Sequence, residues 1–326
     1  MKGLGSISHE VEKMVFAGAT PWHGLGTEID DATNFWDAFK LAGLDWEVET
    51  EPLYRMGAAA QVVGEEVKAQ AAVRTSDDKV LGVVGPRWTP LQNREAFEVF
   101  EPLIDSGDMR LHTAGSLRGG ERVWVLCQLG LENTEIVPND EIAKFALLSN
   151  GHDGKLAVHF GFTPIRVVCA NTESMARSSK ASKLIRIRHH RFVKNNVEKL
   201  RDVMNLADQE FEATAEQYRF LASRQINATD LHKYVKIVLD VHQQEEDELS
   251  TRTKNIIGKV EEFFLLGKGN DLPGVNGTYW AAYNGVTEYL NYEKGRTNEN
   301  RMDSLWFGQN GNLSQKALDT AVALAA

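Results

Sequence analysis

Four apolar runs in the middle of the chain, paired around two glycine-bearing turns, restrict the fold more than any other feature of the sequence. Leu111–Leu117 and Arg122–Leu129 flank Arg118-Gly119-Gly120-Glu121. A Gly-Gly pair supplies the positive φ angles that a tight turn demands, so the string predicts a β-hairpin. Ile142–Leu148 and Leu156–Phe162 flank Ser149-Asn150-Gly151-His152-Asp153-Gly154, which predicts a second hairpin with His152-Asp153 in its turn. In its last strand Leu156, Val158, Phe160 and Phe162 share one side, while Ala157, His159 and Gly161 share the other.

The flanking sequence adds elements to this sheet. Thr33 is placed to cap a short helix whose Phe35, Phe39 and Ala42 share a face before Gly43 stops it. Segments near Gln61–Val63, Val67–Val73 and Val80–Val84 read as strands, with Ser76-Asp77-Asp78 as a turn. A helix is expected from about Asn93 to Asp105, with Ala96, Phe97, Phe100, Leu103 and Ile104 on one stripe. Pro164 is expected to interrupt, Arg166–Cys169 to form a last short strand, and Asn171 or Thr172 to start a helix through Glu173-Ser174-Met175-Ala176. After Asn195 the pattern turns helical: Val197 to Leu221 approximate one apolar stripe, and Thr229–Val241, Glu246–Leu266, Trp280–Leu290 and Gln315–Leu324 contain further helices. Gly267–Gly277, with four glycines and Pro273, reads as a loop or hinge. The sum is an α+β protein: an antiparallel hairpin-built sheet with helices packed on it and a mostly helical C-terminal half. The expected division is a sheet-containing region over 1–176, a basic connecting segment over 177–194 and a helical region over 195–326, the first and last compatible with one compact unit.

Composition enters as a filter. With 326 residues, 42 % hydrophobic and 25 % charged, the chain can bury a core without staples, which argues against disorder and coiled coil. No apolar run approaches the roughly 18 residues of a membrane span. Lys2 followed by the short stretch Met14–Ala19 does not make a signal peptide, because His9, Glu10 and Glu12 precede it. Two cysteines fit a reducing compartment, so a cytoplasmic location is expected and no membrane partner.

Charge is distributed unevenly. Arg177 to Arg201 holds nine Lys or Arg and one acid, a local +8, against −18 for the other 301 residues and −10 overall. Within Ile185-Arg186-Ile187-Arg188-His189-His190 the residues alternate, so an extended conformation puts Arg186, Arg188 and His190 on one side and the isoleucines on the other. Alternate strand residues lie about 6.6 Å apart, close to the phosphate repeat of an extended nucleic-acid strand. The segment therefore nominates Arg177, Lys180, Lys183, Arg186, Arg188, Arg191 and Lys194 as phosphate contacts. Trp88, between Pro86 and Pro90, is nominated as a base-stacking platform, and Trp22 as a weaker one. The competing interpretation of the same charges is a solvated linker paired with the acidic remainder, and that of the tryptophans is loop packing.

Other chemistries find less support. No His-x-x-x-His, Cys-x-x-Cys or clustered carboxylate motif with ligand spacing is present, and the glycines around His152-Asp153 favour a plain turn over a metal ligand pair. Cys169, His159 and Asn171 can be offered as a nucleophile, base and orienting group, but Cys169 and Cys127 each close an apolar strand, the usual place of a small core residue. Gly267-Lys268-Gly269 lacks the spacing of a phosphate loop and reads as a flexible connection. No catalytic residue, metal or cofactor is assigned.

Several strings resemble a family of phage- and plasmid-borne proteins known through domain of unknown function 932: Thr20-Pro21-Trp22-His23-Gly24-Leu25-Gly26, Leu81-Gly82-Val83-Val84-Gly85 with Gln92-Asn93, Thr113-Ala114-Gly115-Ser116-Leu117, Val167-Val168-Cys169-Ala170-Asn171-Thr172 and the helix over Thr278–Tyr289. The resemblance implies a role in mobile-element DNA metabolism and supplies no catalytic residues. In architecture and charge the chain is also similar to single-strand-annealing recombination proteins, which implies a homo-oligomeric ring or filament. The expectation is a non-enzymatic protein that binds single-stranded nucleic acid. The alternative is a phage-encoded interaction or inhibitor protein that acts on a host factor through its acidic surface.

Overall fold

A computed structural model describes residues 13–18, 21, 24–31, 33–56, 64–130, 132–168, 171–172, 185–198 and 207–326. Its centre is the expected pair of hairpins. Strands β6 (Met109–Leu117) and β7 (Arg122–Leu129) are joined by a single 3₁₀ turn in which Gly119 and Gly120 have φ of 67° and 95°. Strands β9 (Asp140–Gly151) and β10 (Val158–Arg166) form the second hairpin, and β7 pairs antiparallel with β9. The main sheet has the order β11-β10-β9-β7-β6-β1-β2, where β1 is Met14–Ala17, β2 is Thr27–Ile29 and β11 is Asn171–Thr172. Only the β1–β2 pair in it is parallel. Strand β8 (Thr134–Val137) adds to β9, and β12 (Ile185–Ile187) adds to β10. A separate antiparallel sheet, β3 (Val48–Tyr54), β4 (Glu66–Arg74) and β5 (Lys79–Val84), stands beside it.

Period-2 alternation sends the central strands' side chains to two different cores. On one face Trp124, Leu126, Phe145 and Leu147 join residues of the C-terminal helices, among them Tyr218, Tyr234, Val260, Trp280 and Trp306. These helices are α5 (Ala207–Ala222), α6 (Ala228–Val238), α7 (Thr251–Leu266), α8 (Tyr279–Glu288), α9 (Asn298–Phe307) and α10 (Gln309–Ala325), with α4 (Val193–Glu198) preceding them in the chain. On the other face Val123, Val125, Cys127, Leu148, Val158 and Phe160 meet Phe35 and Phe39 of α1 (Phe35–Leu41), Phe97 of α2 (Asn93–Phe97) and Phe100 before α3 (Glu101–Asp105). The architecture is α+β, its C-terminal half is helical, and one apolar cluster draws on both the 1–176 and the 195–326 regions.

Several expectations are corrected. The cap of α1 is Asn34, whose side chain accepts from the Asp37 amide, rather than Thr33. The single helix expected over Asn93–Asp105 is two short helices, the second with Pro102 in its first turn, where the missing amide donor costs nothing. Pro164 lies inside β10, opposite Lys144, and does not interrupt it. Arg166 ends β10 and Val167-Val168 is a turn; Cys169 lies outside the described residues, as do Gln61–Val63, Trp22 and the 173–176 stretch. Asn171 and Thr172 do not start a helix: they pair with Arg166 and Ile165 as β11. The Gly267-Lys268-Gly269 connection is no loose tether, since its carbonyls at Lys268 and Gly269 accept from the buried Arg166 guanidinium at 3.2 and 3.0 Å. Strands β3 and β8 and helix α9 were not foreseen, because Pro52 and alternating acids blur the first and the other two are short or polar.

Candidate functional site

The basic segment is fixed to the edge of β10 by its two isoleucines. Ile185, Arg186 and Ile187 pair with Phe160, His159 and Val158, and Ile187 is buried against Val158 and Phe160 in the core under α1–α3. Alternation then turns Arg186 to the opposite side, where it is exposed, and Arg188 is exposed just beyond the strand. Arg191 is exposed with its guanidinium 4.6 Å over the Phe192 ring. Among the described residues no carboxylate pairs with Arg186, Arg188 or Arg191. Lys194 differs: its ammonium stands 3.1 Å from Glu95 of α2. Arg177, Lys180 and Lys183 lie outside the described residues.

Trp88, a hundred residues away in sequence, meets this segment. Its ring stacks on His189 at 5.1 Å between centroids and 26° between planes, and it packs on the small core of Val48, Ala72, Leu81 and Val84. Trp88 is half-buried with one face taken by an imidazole, so it buttresses the basic segment rather than standing free, and the preceding residue, Arg87, is exposed.

Beneath the stack lies a polar cluster that the sequence did not reveal. The β9–β10 turn is indeed a turn, yet His152 is fully buried and Asp153 only 2 % exposed. Strand β5 covers them: a Cβ placed on Gly82 would lie 2.6 Å from the Asp153 carbonyl oxygen, so the covering strand needs glycine there. Hydrogen bonds fix the orientation of each group. Asn93 donates from Nδ2 to the Leu44 carbonyl at 3.0 Å, so its Oδ1 accepts from His152 Nε2 at 2.8 Å. Asn150 donates to the Leu91 carbonyl at 2.8 Å, and His189 Nδ1 donates to the Thr89 carbonyl at 3.2 Å. Both imidazoles are thereby held in one tautomer with the other nitrogen as an acceptor. Four buried acceptors, His152 Nδ1, His189 Nε2, Asp153 Oδ2 and Asn150 Oδ1, and one donor, Trp88 Nε1, make no hydrogen bond with the described protein groups. Burial, and secondarily the nearby His189, push His152 down to about 3; burial likewise pushes His189 down to about 4, partly opposed by the Thr89 carbonyl and Asp153. Both rings are neutral at pH 7. Among the described residues no three His, Cys, Asp or Glu side chains form a group that holds a metal.

Two members of the offered trio, His159 and Asn171, are not brought together. His159 pairs with Ser149 near one end of β10, whereas Asn171 pairs with Arg166 at the other, seven residues or about 23 Å along the strand, and Cys169 lies outside the described residues. Cys127 is a fully buried core residue whose thiol is pushed upward by burial.

The signal available in the sequence for the polar cluster was the pair of polar strings Gln92-Asn93 and Asn150-Gly151-His152-Asp153-Gly154 between apolar runs. Gln92 caps α2 and bonds both backbone groups of Val48, tying the same region to β3. No match to a curated protein or to a solved structure was found. The family model described as Domain of unknown function (DUF932) matches residues 80–306, which takes in the hairpins, the polar cluster, the basic strand and most of the helical layer. Over more than half its length this chain carries that pattern, and it belongs to the DUF932 family.

Proposed function

We propose that this protein binds single-stranded nucleic acid along the β12 edge, in the annealing or recombination chemistry of a mobile element. The observation that carries the reading is the exposure of Arg186, Arg188 and Arg191 with no carboxylate partner among the described residues, in a chain that is otherwise strongly acidic. Unpaired guanidiniums on a strand anchored from below stay available to phosphates and lose little freedom when they engage them. Contacts of this kind follow the backbone and ignore sequence.

The test is a salt series with a labelled single strand, read by fluorescence anisotropy. If about five cations neutralise phosphates, log affinity falls against log salt with a slope near −3.5. Flat salt dependence overturns the reading.

A further inference from the structure

A second surface of the molecule has the shape and charge to receive the first. Between α6 and α7 lies a groove of about 560 Å³, lined by apolar Ala228, Leu231, Phe264 and Leu265 together with His232 and Glu261. Leu265 and the adjacent Leu266 are 59 % and 78 % exposed, which is unusual for leucines on a helix that packs into a core. The rim is anionic. The α6–α7 loop carries the run Glu245-Glu246-Asp247-Glu248, with no Lys or Arg from Val241 to Ser250. Glu246 is drawn to the groove by His232 at 3.0 Å and Lys236 at 2.9 Å, while Glu245, Asp247 and Glu248 are exposed with no cation paired to them among the described residues.

The same chain holds the complement. Phe192 projects from the turn before α4, half exposed, with Arg191 over its ring and the His190 ring edge-on at 6.0 Å. Buried Val193 on one side and the β12 pairing on the other hold it in place. It is an aromatic knob carrying one guanidinium on its ring, and Phe and Arg are residue types enriched at protein interfaces. We infer that Phe192 of one molecule seats in the α6–α7 groove of a second copy, with Arg188 and Arg191 meeting the Glu245–Glu248 run. Knob and groove are different surfaces, so the contact is heterologous and propagates head to tail into a ring or a filament. Phe192 and the groove play no part in the nucleic-acid reading; Arg188 and Arg191 belong to both, so the substitutions that test this contact are placed at Phe192 and in the groove and leave those two guanidiniums intact.

Sedimentation velocity on the full chain over a concentration series, at low and high salt, tests it. Wild type is expected to self-associate with increasing concentration, and salt to weaken the association. Phe192→Asp and Leu265→Asp, both at exposed positions, are each expected to be monomeric with unchanged circular dichroism and Tm. Mixed together they should form a dimer of one of each and nothing larger, since the first retains a groove and the second a knob. A wild-type chain that stays monomeric, association that survives both substitutions, or a mixture that fails to pair overturns the inference; loss of strand binding alone leaves it standing.

Discussion

At the scale of single residues, the polar cluster under β5 is where this protein departs most from a uniform apolar core. Asn93 satisfies two buried partners at once, the Leu44 carbonyl and His152 Nε2. Replacing it with alanine orphans both. Asn93→Ala is therefore expected to destabilise the fold by about 2–4 kcal/mol, measured by urea unfolding. The imidazoles predict a pH effect whose sign follows from their depressed affinity for protons. Unfolded histidines take up protons below about pH 6.5, whereas folded His152 and His189 resist until about 3 and 4. Their contribution is fully present above pH 6.5 and is lost as pH falls from there toward 4 for His189 and toward 3 for His152, so stability should decline over that window. Substituting His152 and His189 together by uncharged residues should flatten the decline in pH-dependent urea midpoints. Gly119-Gly120 and Cys127 behave as their local sequence implies, since a turn and a strand end need only neighbours in the chain. His152 and Asp153 do not, because their burial is imposed by β5, some seventy residues away.

At the scale of elements, β12 shows how three residues hold a basic edge in place. Ile185 and Ile187 buy its attachment by burying apolar surface, and the alternation they enforce leaves Arg186 outside. Removing two guanidiniums while keeping the isoleucines should leave the strand docked. Arg186→Ala with Arg188→Ala is expected to weaken single-strand binding at low salt and to make the log–log salt slope shallower by about 1.4. Unchanged binding and slope in the double variant would remove the basic edge from the proposed function. The alternation was legible from the sequence as soon as an extended conformation was assumed. The neutralisation of Lys194 by Glu95 was not, for Glu95 belongs to a helix whose placement depends on the whole sheet.

At the scale of the molecule, a buried ion pair ties the sheet to the C-terminal helices. Arg166 and Asp140, both without solvent exposure, form a two-pronged pair at 2.7 and 2.8 Å. Asp140 also accepts from Trp280 Nε1 at 2.8 Å, and Arg166 reaches Asn270 at 3.0 Å and two loop carbonyls. Breaking one side strands the other charge. Asp140→Asn should cost about 3–5 kcal/mol in urea unfolding, and joining it to Arg166→Met should recover much of that loss. Equal losses in the single and double variants would show that the pair contributes no coupling. No helix among the described residues is long and apolar enough to cross a membrane, which agrees with the hydropathy of the sequence.

What the sequence by itself determined is whatever short stretches of chain decide: the two central hairpins, the helical C-terminal half, the concentration of positive charge and the family. Periodicity and turn chemistry act over a few residues, so they survive without knowledge of the rest. Tertiary structure alone decided that Trp88 meets His189, that Asn93 meets His152, that His159 and Asn171 lie at opposite ends of β10 and that Lys194 is paired with Glu95. These depend on which distant surfaces the two cores press together, and no local pattern encodes that pairing.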